Sequence, residues 1–149
     1  MNAMTADPAV DEAIALVEEQ LGVVFTRARL VWKEAAEQIH PGLQPAGYKV
    51  LSTIVRLGST NAHVLADQLD MDKSVVSRQV RVLEEAGLVE SRPDERDGRL
   101  RVLSPTATAA ERVGAVRATN QARVRAALEP RSADELRTFA EMLRVLAEA

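Results

Sequence analysis

A chain of 149 residues has room for one domain with a buried core, and too little for two independent functions. It contains no cysteine, which excludes disulfides, thiolate metal sites and thiol-based redox sensing. The net charge of −3 counts against a generic polycationic nucleic-acid binder, so any DNA contact has to rest on where individual charges stand.

Residues 1–7 show no apolar period and are expected to be mobile. From Pro8 or Ala9 a long helix begins, in which Val10, Ile14, Val17, Leu21, Val24, Ala28, Val31 and Ala35 recur in steps of four and three. Phe25, Trp32 and Ile39 widen this stripe, and Gly22 interrupts it at a cost of about 1 kcal/mol relative to Ala. So long an apolar face exceeds what a small domain can cover by itself, and a partner chain is its simplest cover. Pro41, Gly42 and Pro45 end the helix and restart the chain. Ala46 to Leu57 then reads as a second helix closed by Gly58, with Val50, Leu51, Ile54, Val55 and Leu57 as core residues. No basic leader precedes an apolar run and no stretch approaches the roughly 18 apolar residues of a membrane helix. The expected location is the cytoplasm, without membrane contact.

Residues 61–101 read as a short helix, a tight turn, a longer helix and a charged hairpin. Asn61 is a plausible N-cap for the first helix, Val64, Leu65 and Leu69 are its apolar contacts, and Met71 plugs the turn. Asp72 stands where an N-cap carboxylate can accept from first-turn amides, and Gly87 where a chain leaves a helix in the left-handed region, so the second helix should run from about Lys73 to Ala86. Val76, Val80 and Leu83 hold one of its faces to the core, while Ser74, Val75, Ser77, Arg78, Gln79 and Arg81 form the other. Leu88 and Val89 start a strand, Leu100, Val102 and Leu103 supply its return, and Pro93 and Gly98 turn the tip between them. Two helices meeting at a sharp turn, followed by a hairpin, make a winged helix-turn-helix.

After Pro105 a weaker stripe of Ala107, Ala110, Val113, Val116, Val124, Ala127 and Leu128 reads as a helix to Glu129, broken by Pro130. Ser132 and Glu135 have the spacing of a capping box, and Leu136, Phe139, Ala140, Leu143, Leu146 and Ala147 line a last helix. The fold class expected is mainly α with a small β-hairpin wing. We read residues 1–149 as one domain, with 44–104 as the winged DNA-binding region and 8–40 and 105–149 as a helical dimerisation region.

The segment DKSVVSRQVRVLEEAGLVESRPDERDGRLRVL resembles the signature region of the multiple-antibiotic-resistance regulator (MarR) family. A Ser-rich recognition helix is followed by the Leu83-Glu84-Glu85-Ala86-Gly87-Leu88-Val89 exit and by Asp97-Gly98-Arg99 in the wing. The order of helices agrees over nearly the whole chain. The sequence departs from the family at Leu103-Ser104-Pro105-Thr106, where Leu-Thr and a later Gly are more usual, which leaves the start of the next helix open. The resemblance implies a homodimeric, ligand-responsive transcription regulator, usually a repressor. It also implies a small aromatic or phenolic effector bound between the dimerisation helices and the winged region. Trp32, His40 and Tyr48 are the polar-tipped rings near that junction, although Trp32 also reads as core and His40 as a helix end.

A dimer presents two recognition helices, which enter successive major grooves of double-stranded DNA if they stand about 34 Å apart, so the target should be an inverted repeat. Arg78 is expected to read a guanine edge, with Gln79, Ser74 and Val75 nearby. Ser77, Lys73, Arg81 and Asn61 are expected to hold phosphates, which sets register and not sequence. In the wing, Arg96 suits a narrow minor groove. Arg99 either contacts DNA or pairs with Asp97. From Asp70 to Ser104 seven basic residues meet eight acids, so sign must be segregated, with Glu84, Glu85 and Glu90 expected away from the exposed cations. No cofactor or metal is expected, and the absence of a phosphate loop, nucleophile elbow or His-Glu motif argues against an enzyme. The competing reading is a winged-helix module that binds protein without specific DNA binding; the acidic balance favours it and the Ser, Arg and Gln face opposes it.

Overall fold

Asp7 opens the first helix: its carboxylate accepts from the Ala9 amide at 3.0 Å, and Pro8 takes the first helical position, where a missing N–H costs nothing. The computed structural model describes residues 7–149, so the expectation for the segment before Asp7 lies outside the described residues. The order is α1 (Pro8–Ile39), α2 (Pro45–Leu57), α3 (Ala62–Leu69), α4 (Lys73–Glu85), β1 (Val89–Pro93), β2 (Arg101–Pro105), α5 (Ala107–Leu128) and α6 (Ala133–Glu148). This is the mainly helical, winged architecture expected from the sequence. No described helix is long and apolar enough to cross a membrane.

Boundaries differ from the sequence reading where capping chemistry was not legible. α2 begins at Pro45 and not Ala46, because proline is itself a good first residue, and Gly58 leaves it at φ 79°. β2 begins at Arg101, leaving Leu100 in the wing tip and 47% exposed. The unusual Ser-Pro-Thr after Leu103 is the end of β2 followed by a cap. The Thr106 hydroxyl accepts from the Ala109 amide at 3.2 Å and donates to the Gly87 carbonyl at 2.9 Å, tying the start of α5 to the exit of α4.

The core lies in the winged unit and the helices nearest it. Ile39, Val50, Leu51, Ile54, Leu65, Val76, Leu83, Leu88 and Val113 are its fully buried large side chains. β1 and β2 pair antiparallel with Val89 opposite Pro105 and Pro93 opposite Arg101, and Thr60 adds an antiparallel bridge to Leu103. That third edge was not read from the sequence, because a single residue carries no period. In α5 the buried residues are Ala109, Val113 and Val116, so Ala109 takes the inward place assigned to Ala107 or Ala110. Two arginines fasten α5 to the rest: Arg112 donates to the Ile39 carbonyl at 2.8 Å, and Arg117 donates to the Ser52 carbonyl at 3.0 Å and hydroxyl at 2.9 Å.

Much apolar surface stays outside. α1 buries only Ala35, Ala36 and Ile39, and Val10, Ile14, Val17, Val24 and Phe25 are about half exposed. α6 buries nothing, and its Phe139, Leu143 and Leu146 are 51%, 45% and 47% exposed. The Ser132–Glu135 capping box expected at its start is present.

Candidate nucleic-acid interface

α3 and α4 meet through a three-residue turn. Asn61 caps α3, its side-chain oxygen accepting from the Val64 amide at 2.9 Å. Asp70 leaves α3 in the left-handed region at φ 49°, a conformation that short polar side chains tolerate, and half-buried Met71 packs against the core as the expected plug. Asp72 occupies the N-cap of α4, but its carboxylate makes no capping bond. Its carbonyl instead accepts from the Val75 and Val76 amides at 3.0 and 3.1 Å, leaving the carboxylate in solvent.

Helical geometry divides α4 into three faces, where the sequence suggested two. Val76, Val80 and Leu83 are buried, as expected. Lys73, Ser74, Ser77, Arg78 and Arg81 are exposed. Val75 and Gln79, grouped above with the base-reading residues, are half-buried on the flank that meets α2. The Gln79 Oε1 stands only 2.9 Å from where a Cβ on Gly47 would lie, so this amide is directed at the first turn of α2 and not outward beside Arg78. The physical reason is that residues 75 and 79 lie about 60–100° around the helix from the buried line of Val76 and Val80, close enough to be drawn into the α2 contact.

The wing is organised by its aspartates. Asp94 accepts from the Arg96 and Asp97 amides at 2.7 and 3.2 Å, and Asp97 accepts from the Arg99 amide at 3.1 Å. The stiffening expected from an Asp97–Arg99 pair is thus a main-chain contact. Among the described residues the ion pairs are Arg137–Asp134 and Arg144–Glu148, both on α6, so the guanidinium of Arg99 is not held by Asp97. The strut between the strands is Arg101, whose Nε donates to the Ser91 hydroxyl at 2.8 Å and whose Nη2 donates to the Ser91 carbonyl at 3.1 Å. The sequence reading counted Arg101 only as a charge; a basic residue across a hairpin from serine was the available signal.

Between α3, α4 and the wing lies a cleft of about 470 Å³, lined by Asn61, His63, Ser77, Arg81, Arg99 and Arg101 among others. It brings Asn61, Ser77 and Arg81, three of the four residues assigned to phosphates, into one concave surface and adds His63, while Lys73 lies outside it. Glu84 lines the same cleft, which corrects the expectation that this acid stands apart from the cations. One turn beyond Arg81 on a helix is the same side, not the far end. Lys73, Ser74 and Arg78 continue the surface along α4, and Arg96 projects from the exposed wing tip.

The three rings considered for an effector do not share one environment. Tyr48 is 8% exposed and belongs to the core. Trp32 is 38% exposed, with the Lys49 ammonium 4.4 Å from its ring centroid, so it is a cation–π surface contact and not core. His40 is half-buried at the end of α1, its amide donating to the Ala36 carbonyl at 3.1 Å.

A model of the MarR family matches residues 42–100, which span the turn before α2 through the wing. The fold resembles that of the YusO protein from Bacillus subtilis, with a TM-score of 0.73 at 23% identity over 93% of this chain and 97% of that one. It also resembles FabT of Streptococcus pneumoniae solved in complex with DNA, with a TM-score of 0.82 at 15% identity over 91% and 95% of the two chains. A third likeness is to a MarR variant from E. coli complexed with operator DNA, with a TM-score of 0.67 at 20% identity over 90% and 95%. Among curated proteins no sequence relative matches the chain. The MarR family model thus matches the helix-turn-helix and wing, and the fold around them is like that of the winged helix MarR structures.

Proposed function

We propose that the chain is a homodimeric, sequence-specific DNA-binding repressor that recognises an inverted repeat and is released by a small aromatic or phenolic ligand. The observation that carries the DNA reading is the row of exposed cations on α4, Lys73, Arg78 and Arg81, none of them neutralised by a neighbouring carboxylate in the described residues and all continuous with the wing cleft. Arg78 stands at the most outward position with a side chain long enough to reach a guanine edge. Ser74 and Ser77 flank it, Lys73, Arg81, Asn61 and Arg99 serve phosphates, and Arg96 serves the minor groove. Val75 and Gln79 set the angle of α4 on α2 and do not read bases. The dimer reading is supported by α6, which carries an apolar face yet buries nothing, and by the exposed stripe on the first half of α1.

The experiment is a gel shift with DNA flanking the gene that encodes the chain, run at several salt concentrations and with candidate aromatic acids. A salt-sensitive, sequence-specific complex that such an acid dissociates is the expected result. Absence of any specific complex would favour the protein-binding module, and a complex indifferent to every acid would remove the effector from the reading.

A further inference from the structure

α1 carries a second apolar stripe, on the side turned away from the core. Leu16, Val23 and Leu30 recur every seven residues and are 58%, 58% and 48% exposed. At about 100° per residue, Val23 stands roughly 120–160° around the helix from Ala35, Ala36 and Ile39, the residues by which α1 packs on its own chain. Three large apolar side chains held in solvent at a seven-residue period supply one of the two apolar positions per heptad of a helix–helix seam, enough for a short, weak contact. The stripe lies within the 8–40 region but on a different face from Val10, Ile14, Val17, Val24 and Phe25, the exposed residues of α1 used for the dimer reading.

Charge flanks the stripe in a particular way. Glu19 precedes Val23 by four residues and Arg27 follows it by four, and both are exposed. Every residue three or four positions from either of them is uncharged, so neither has a partner at the spacing that pairs charges on one helix. The described ion pairs are both on α6. The pattern is, however, its own complement about a two-fold axis at Val23. A reversed copy of the helix puts Leu16 opposite Leu30, Val23 opposite Val23, and Glu19 level with Arg27. A shallow groove lined by Glu19, Gly22, Val23, Thr26, Arg27 and Leu30 runs along this centre, and an added Cβ at Gly22 would meet nothing within 4 Å.

We propose that this face of α1 pairs antiparallel with the same face of a second copy, joining two dimers into a tetramer. The proposal rests on the dimer reading above, which uses the other faces of α1 and α6. The occupant is identified by the two-fold match of both apolar and charged positions, which an unrelated partner would have no reason to share. Towards Leu30 the groove runs into a cleft lined by Leu30, Lys33, Glu34, Leu43 and Pro45, and the first turns of the reversed helix fall level with it. Glu12 falls level with Glu34, about 16 Å from the axis, and this like-charge match at each end keeps the association weak. Two dimers so joined present two pairs of recognition helices, and can hold two operators together.

Sedimentation velocity of the full chain, over concentrations from about 1 to 100 μM, tests this against the affinity scale of weak assemblies. The wild-type chain should pass from dimer to tetramer as concentration rises. Leu16→Glu should remain a dimer with an unchanged circular dichroism spectrum, since Leu16 is 58% exposed on a helix of its own subunit. Glu19→Arg should raise the dissociation constant of the tetramer about tenfold, and adding Arg27→Glu should return it to near the wild-type value. A wild-type dimer that never associates further overturns the proposal and leaves the dimer reading standing, whereas a wild-type monomer overturns both. Tetramers that persist in Leu16→Glu overturn it, as do monomers in that variant, because the stripe would then be the dimer interface itself. A double charge reversal that fails to restore association rules out the antiparallel register.

Discussion

Arg78 and Gln79 are neighbours in sequence and differ in what surrounds them. Arg78 is exposed at the outermost line of α4, whereas Gln79 is half-buried against the first turn of α2. Arg78→Ala should therefore weaken operator binding by about 10- to 100-fold and relax discrimination at one base pair, the loss of a bidentate contact of about 1–3 kcal/mol. Gln79→Ala should leave base preference at that position intact and lower the melting temperature modestly; titration against operators with single base changes distinguishes the two, and a changed preference in Gln79→Ala would return that residue to the reading face. The wing arginines separate in the same assay. Since Asp97 engages Arg99 through its amide, both Arg96→Ala and Arg99→Ala should preserve stability. Each should reduce the slope of log affinity against log salt by about one unit if its guanidinium neutralises a phosphate. An unchanged slope in either variant would remove that arginine from the DNA contact.

At the scale of elements, the connection between the recognition helix and α5 runs through one residue, whose hydroxyl meets the Gly87 carbonyl and whose amide donates to the Leu88 carbonyl at 3.0 Å. Thr106 caps α5 and bonds back to the Gly87 carbonyl, where the chain leaves α4 at φ 73°. Thr106→Val keeps the volume and removes the hydroxyl's bonds to Gly87, Leu88 and Ala109, so it should cost about 1–2 kcal/mol in chemical denaturation. Thr106→Ser should cost much less; equal losses in the two variants would show that the methyl, not the hydroxyl, matters. The helices themselves were legible in sequence because each repeats an apolar period over several turns. Ser132 and Glu135 announced their capping box, and Gly58 and Gly87 their left-handed exits. The Thr60 bridge, the Arg101 strut and the burial of Ala109 in place of Ala107 or Ala110 were not legible. Each depends on what lies across from a residue in space, and neither a period nor a composition records that.

For the whole molecule, the distribution of burial is uneven. The winged unit encloses its core, while α6 and the first half of α1 expose theirs. Burying a side chain such as Leu143 in a partner is worth about 1.5–3 kcal/mol, and placing a charge there reverses the sign. Leu143→Glu should thus yield a chain that no longer dimerises through α6 and loses operator affinity by orders of magnitude, while the winged unit keeps its fold. Light scattering together with the gel shift checks this; a variant that still binds the inverted repeat as tightly as wild type would remove α6 from the interface. The slightly acidic charge balance of the recognition region then has a simple consequence. Glu84 lies in the same cleft as Arg81, Arg99 and Arg101, so under the proposed function attraction to random DNA would be reduced and binding would rest on aligning two copies of a small cationic surface.

The sequence by itself determined the order of helices, the helix-turn-helix and wing, the exclusion of thiol chemistry, and the family resemblance carried by residues 72–103, because periodicity, turn residues and local spacing are properties of the chain alone. Only the tertiary structure decided which flank of α4 faces outward, that Tyr48 is core while Trp32 is surface, and that Glu84 shares the cleft with the cations. Those facts follow from how α2, α3 and the wing crowd around one helix, and a sequence states its neighbours along the chain but not across it.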